Sequence, residues 1–150
     1  MHARHPKPQN RAVRIRRPSS SSGPAVRRIL VATDRSQSAD RAVRWAADMA
    51  ERYEAELLVL QVVTERAAAV LPELTRFAES LGARALVETA AEDPSEAIVR
   101  AAAQEKADVL VVGNVGMSGR REFLLGNVPN RVSHNAPCTV VIVDTSEGRR

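Results

Sequence analysis

The sequence predicts an α/β domain built on an open, five-stranded parallel sheet with helices on both faces. Three observations lead there. Five short apolar runs alternate with longer segments of helical period. The runs are continuous rather than alternating in polarity, as strands buried on both faces should be. Finally, 150 residues with 44% hydrophobic content suffice for one such core and would crowd two.

The first strand is RILVATD, residues 28–34, an apolar run closed by turn residues. Residues 38–55 follow as a helix, because Ala42, Trp45, Ala46, Met49 and Ala50 recur at helical spacing and Ser36 or Ser38 can cap the start. ELLVLQVV, residues 56–63, is the second strand, residues 68–82 a helix stopped by Gly82, and residues 83–90 the third strand. A helix over 93–107 opens on Asp93-Pro94, since proline is tolerated in a first turn, and feeds the fourth strand at 108–112. A short helix at 128–135 leads to the last strand, CTVVIVD at 138–144. The chain shows no internal repeat.

The net charge of +4 is unevenly placed. Residues 1–28 hold eight of the 22 basic residues and no acid, so the other 14 basic and 18 acidic residues leave the rest of the chain at −4. Residues 1–24, broken by prolines and a serine run, cannot bury enough surface to offset their ordering entropy and are predicted to form a disordered basic tail. The domain then spans 25–145, with a short tail at 146–150. No aromatic side chain interleaves the basic residues of the tail, so nucleic acid is not the expected partner, and no long apolar segment follows Arg16-Arg17 as an export signal requires. The single cysteine, Cys138, excludes an intrachain disulfide framework and offers no zinc spacing, which fits a reducing cytoplasm. No run approaches the roughly 18 apolar residues of a membrane span. A cytoplasmic protein with no membrane partner is expected.

The stretch GNVGMSGRREFLLGN begins where the fourth strand ends, and Gly113, Gly116 and Gly126 stand in it as G-x2-G-x9-G. Glycine lets backbone N–H groups approach a ligand closely, and a loop leaving a buried strand presents them at the carboxyl edge, where open α/β sheets bind ligands. The stretch is neither a Walker A loop, which needs Gly-Lys-Ser/Thr where this chain has Gly119-Arg120-Arg121, nor a G-x-G-x-x-G turn. A helix starting at Asn127 adds orphan N–H groups and partial positive charge, which favour an anion such as phosphate. Asp34, closing the first strand, puts an acceptor at the same edge for a ribose hydroxyl or a base amine, or else organises the turn that follows.

The neighbouring polar residues have plainer roles as well. Asn127 and Pro129 suit helix initiation, although the Asn127 amide can also donate to a phosphate oxygen. Arg120 and Arg121 either neutralise a polyanion or form a solvated loop face. Ser118 has no neighbouring base to make it a nucleophile. His134 reads as a surface or capping residue, and Cys138 as a buried small hydrophobe. Trp45, Met49 and Phe77 are core positions.

ILVATD, the Ala-rich helix with Trp45, LLVLQVV, ADVLVVG and then G-x2-G-x9-G with a Val-rich final strand together resemble the universal stress protein family. The resemblance covers residues 26–145. It implies a Rossmann-like sheet of the adenine nucleotide alpha hydrolase type, with ATP or another adenine nucleotide across the strand edge. In nucleotide-binding members, the positions matching Ala32, Thr33 and Asp34 contact the adenosine end, and Val62 touches the base. Gly113, Gly116, Gly126, Asn127 and Val128 match positions that hold phosphate and ribose. The family usually has Ser or Thr where this chain has Asn127, which bears on triphosphate and metal coordination. Relatives with a GNVG-like loop start bind cyclic AMP in preference to ATP, so cyclic AMP stands beside ATP, with Mg2+ accompanying ATP. The resemblance also implies a homodimer through the final strand, which suits an apolar edge.

The expected protein is therefore a nucleotide-binding stress sensor or regulator acting on an unidentified protein partner. No catalytic residue is assigned, because the chain shows no base positioned for water and no acidic pair dedicated to Mg2+. A weak ATP hydrolase or phosphotransferase and a nucleotide-independent interaction module are the alternatives.

Overall fold

The computed structural model of the chain describes residues 25–91, 93–114 and 127–146. The tail at 1–24, Gly116, Ser118, Arg120, Arg121 and Gly126 lie outside the described residues, as do residues 147–150. Among the described residues, nine elements follow one another: β1 (Arg28–Thr33), α1 (Ala39–Tyr53), β2 (Glu56–Val63), α2 (Ala67–Ser80), β3 (Arg84–Thr89), α3 (Pro94–Gln104), β4 (Val109–Gly113), α4 (Asn127–Asn135) and β5 (Thr139–Val143). The five strands form one parallel sheet in the order β3-β2-β1-β4-β5.

The predicted elements appear in their predicted order, with ends shifted by up to three residues. The shifts have local causes. α1 stops at Tyr53 rather than residue 55 because Glu54 turns left-handed at φ 53° and the Ala55 N–H folds back onto the Ala50 carbonyl. α2 ends as expected at a left-handed Gly82, φ 68°, with Ala83 N–H returning to the Ala78 carbonyl. α3 begins on Asp93, whose carboxylate accepts from the Ser95 N–H at 3.0 Å, with Pro94 in the first turn.

Strand residues alternate between two cores. Leu30, Ala32, Leu58, Leu60, Leu110 and Val112 face α3 and α4, where they meet Ile98, Ala101, Ala102, Val128 and Val132. Ile29, Val31, Leu57, Val59 and Val111 face α1 and α2, where they meet Ala42, Val43, Ala46, Ala50, Leu74 and Ala78. Burial on both faces explains the continuous apolar runs of β1, β2 and β4, whereas the edge strands β3 and β5 are only partly buried. Trp45, Met49 and Phe77 pack against the second core, as their helical spacing predicts.

The amino ends of the strands are tied by charge. Arg28 Nε donates to Glu56 at 2.8 Å, Arg84 bridges Glu56 and Glu105 at 3.3 and 2.9 Å, and Asp108 accepts from the N–H groups of Arg27 and Arg28. Partial burial would raise the Glu56 carboxyl, but hydrogen bonds and charge from Arg28 and Arg84 outweigh it and hold the group below its ordinary value.

Candidate functional site

Strand order fixes where a site can form. From β1 the chain moves to β2 and β3 on one side, then returns to lay β4 and β5 on the other. The loops leaving β1 and β4 therefore diverge to opposite faces and open a crevice at their carboxyl ends. Val31 pairs with Val111, so two residues further along, Thr33 and Gly113 stand level across this switch point.

The β1 side is held by short-range bonds. Thr33 is fully buried, and its hydroxyl accepts from the Arg35 N–H at 3.0 Å. Asp34 Oδ1 accepts from the Ser36 N–H at 2.8 Å, an Asx turn, so Asp34 does organise the turn that its residue type suggests. Ser36 supplies the cap of α1, its hydroxyl accepting from the Ala39 N–H at 3.2 Å, whereas Ser38 makes no side-chain cap bond.

Arg35 takes the left-handed backbone at φ 65° that glycine prefers. Its guanidinium lies 3.3 Å from the centroid of the Phe77 ring and 3.3 Å from Asp40, which ties the turn to α2 and α1. Nothing in the sequence singled out Arg35, because Phe77 is far away along the chain.

On the β4 side, an ideal Cβ at Gly113 would sit 3.0 Å from Thr145 Cγ2 and 3.1 Å from Thr145 Oγ1. The absence of a side chain at Gly113 thus serves packing against the residue two beyond β5. Asn114 accepts from the Thr145 N–H at 2.8 Å and donates to Asp144 at 3.2 Å. Asn114 and Thr145 are functional candidates that sequence reasoning missed. Asn114 lies within the GNVG loop start, but no feature of the sequence pointed to its contact with Thr145.

Ala32 and Val128 are buried in the α3/α4 core, and half-buried Val62 packs against that core from the end of β2. The structure thus brings Ala32, Thr33, Asp34, Val62 and Gly113 to the carboxyl ends of three adjacent strands. Asn127 is the first residue of α4. With the Val128 side chain buried, contact with a ligand at this edge falls to its backbone.

Other polar residues are engaged elsewhere. The cleft of about 510 Å3 between α3 and α4 is lined by Asp93, Ser95, Arg100 and Arg131 and contains none of the predicted site residues. There, burial would raise Asp93, but the Ser95 N–H and hydroxyl and the Arg131 guanidinium prevail and hold its carboxyl low. His134 is exposed in the last turn of α4. Cys138 is half-buried against the α3/α4 core, and burial together with the nearby Asp108 charge pushes its thiol up, as suits a packing residue.

The universal stress protein family model matches residues 25–92 and 74–144. This chain belongs to the universal stress protein family. A universal stress protein crystallised in complex with cAMP superposes with a TM-score of 0.65 at 31% identity, covering 81% of this chain and 99% of that one. Universal stress protein MJ0531 of Methanocaldococcus jannaschii is 28% identical over 138 residues, 78% of this chain and 81% of its own. Universal stress protein Rv1636 of Mycobacterium tuberculosis is 53% identical over a shorter stretch of 53 residues, 35% of this chain and 36% of its own. The five-stranded parallel sheet with four helices is the universal stress protein fold. Among the described residues, no helix is long and apolar enough to cross a membrane.

Proposed function

We propose that this universal stress protein binds an adenine nucleotide in the crevice between β1 and β4 and acts as a nucleotide-dependent regulator in a stress response. The observation that carries the proposal is the convergence of Thr33, Asp34 and Gly113 at the switch point, the place where open α/β sheets take ligands. Asp34 serves the ribose or base, Ala32, Thr33 and Val62 the adenosine end, and Gly113, Gly116, Gly126, Asn127 and Val128 the phosphate and ribose.

ATP and cyclic AMP are the two candidate ligands. Cyclic AMP is favoured by a specific observation, the complex of the 31% identical relative with that nucleotide. Among the described residues, no three His, Cys, Asp or Glu side chains gather into a metal cage. Mg2+ would accompany ATP through its phosphates.

The proposal includes a homodimer through β5, whose Ile142 is 46% exposed on a sheet edge, and a cytoplasmic protein partner that reads the bound state. Calorimetric titration of the full chain, freed of copurified nucleotide, with ATP and cyclic AMP, each with and without Mg2+, tests the core of it. Saturable binding names the ligand. Absence of binding to both would move the assignment to a nucleotide-independent interaction module.

A further inference from the structure

Building on the proposed nucleotide site, we propose that Asn114 is a positioning residue for the crevice. It locks the end of β4 to the segment after β5, so that residues 144–146 act on nucleotide affinity without lying in the site. One amide side chain makes the lock. Asn114 Oδ1 accepts from both the N–H and the hydroxyl of Thr145, at 2.8 and 3.1 Å, while Nδ2 donates to the Asp144 carboxylate at 3.2 Å. The Asn114 N–H donates to the Val143 carbonyl at 2.9 Å. The amide can take only this orientation, because the Thr145 N–H cannot accept and the Asp144 carboxylate cannot donate.

The segment so held is itself fixed from other sides. Thr145 is 1% exposed and lies against Gly113. Asp144 Oδ1 accepts from the Ser146 N–H at 3.0 Å, and Arg41 of α1 donates to the Ser146 carbonyl at 2.8 Å. Pairing of Gly113 with Val143 already closes the sheet here. The lock adds a constraint just beyond the strand, tying the β4 side of the crevice to the segment after β5. A binding constellation keeps its affinity only while such placements hold to about 0.5 Å, which makes the side chains behind Gly113 part of its function.

Replacing the Asn114 amide tests this. Asn114→Asp keeps acceptors for Thr145 but replaces the donor to Asp144 with a second carboxylate oxygen, setting two like charges together. Asp144 is left unaltered, because its Oδ1 accepts from Asn114 and from the N–H and hydroxyl of Ser146 alike, which an amide nitrogen there could not do. Cyclic AMP and ATP are titrated calorimetrically into the unaltered chain, N114D and N114A. The titrations are run well below each protein's melting temperature, and exchange of the Thr145 amide reports whether the lock is closed.

The expected result is a loss of roughly 3- to 30-fold in N114D, the range for substitutions acting through coupling. Asn114→Ala, which removes the lock without adding charge, should weaken binding in the same direction. Unaltered affinity in both N114D and N114A would overturn the proposal. So would a loss of affinity in N114A with the Thr145 amide still protected, since Asn114 would then be acting on the ligand directly. If the unaltered chain binds neither nucleotide, the proposed function itself fails, and this inference with it.

Discussion

Replacing Gly113 by Ala separates what packing requires of this glycine from what a ligand requires. Gly113 lies at the end of β4 and outside the left-handed region, so alanine carries no backbone penalty there. The cost is steric: the new methyl would meet Thr145 Cγ2 at 3.0 Å, where unstrained carbon pairs sit about 3.5–4.0 Å apart. Thr145 is fully buried, and turning it away gives up its hydroxyl bond to Asn114, a loss of about 1 kcal/mol.

G113A should therefore destabilise the protein by about 1–3 kcal/mol, the scale of overpacking in a closed site. Thr145→Ser removes the Cγ2 methyl that makes the closest contact. The double variant G113A/T145S should cost less than the sum of the single changes, with a coupling of at least about 0.5 kcal/mol. Urea unfolding followed by the fluorescence of Trp45, the single tryptophan, reads both at fixed protein concentration, provided the m-value is unchanged. The reasoning is refuted if G113A costs nothing, or costs as much in the T145S background as in the unaltered chain.

Three further outcomes are expected. Asp34→Ala should weaken nucleotide binding by roughly 1–3 kcal/mol, the scale of a lost charged hydrogen bond, whereas Asp34→Asn, which keeps the acceptor for Ser36, should retain the turn; calorimetry and a melting curve check the pair. Ile142→Lys places a charge on the exposed β5 edge and should yield a monomer in sedimentation velocity; an unchanged dimer would move the interface elsewhere. The Glu56 carboxyl is held below its ordinary value in the fold, so its stabilisation is present above pH 4.5 and is lost as pH falls from there through the folded value. Because Glu56 and its arginines are a third or more exposed, the effect is at most about 1 kcal/mol, read as a shallower acid slope in Glu56→Gln.

What the sequence determined by itself was local or periodic. Continuous apolar runs, helical spacing in α1, Gly82 at a helix end and Asp93-Pro94 at a helix start are read over a few residues, because strand burial, helix period and capping are short-range physics. Repeated crossovers then made the sheet parallel, and the carboxyl edge became the place for Asp34 and Gly113.

Tertiary structure decided which strands are neighbours, and hence that Thr33 and Gly113 stand level beside one crevice. It also decided the partners of single residues. Arg35 stacks on Phe77, and Asn114 holds Thr145 thirty-one residues further on. No periodicity carries such pairs, since their contact exists only once two distant strand ends have been brought side by side. Thus the glycine at position 113 was legible in the sequence as a place where backbone meets a ligand, whereas its role of making room for Thr145 came only from the pairing of β4 with β5.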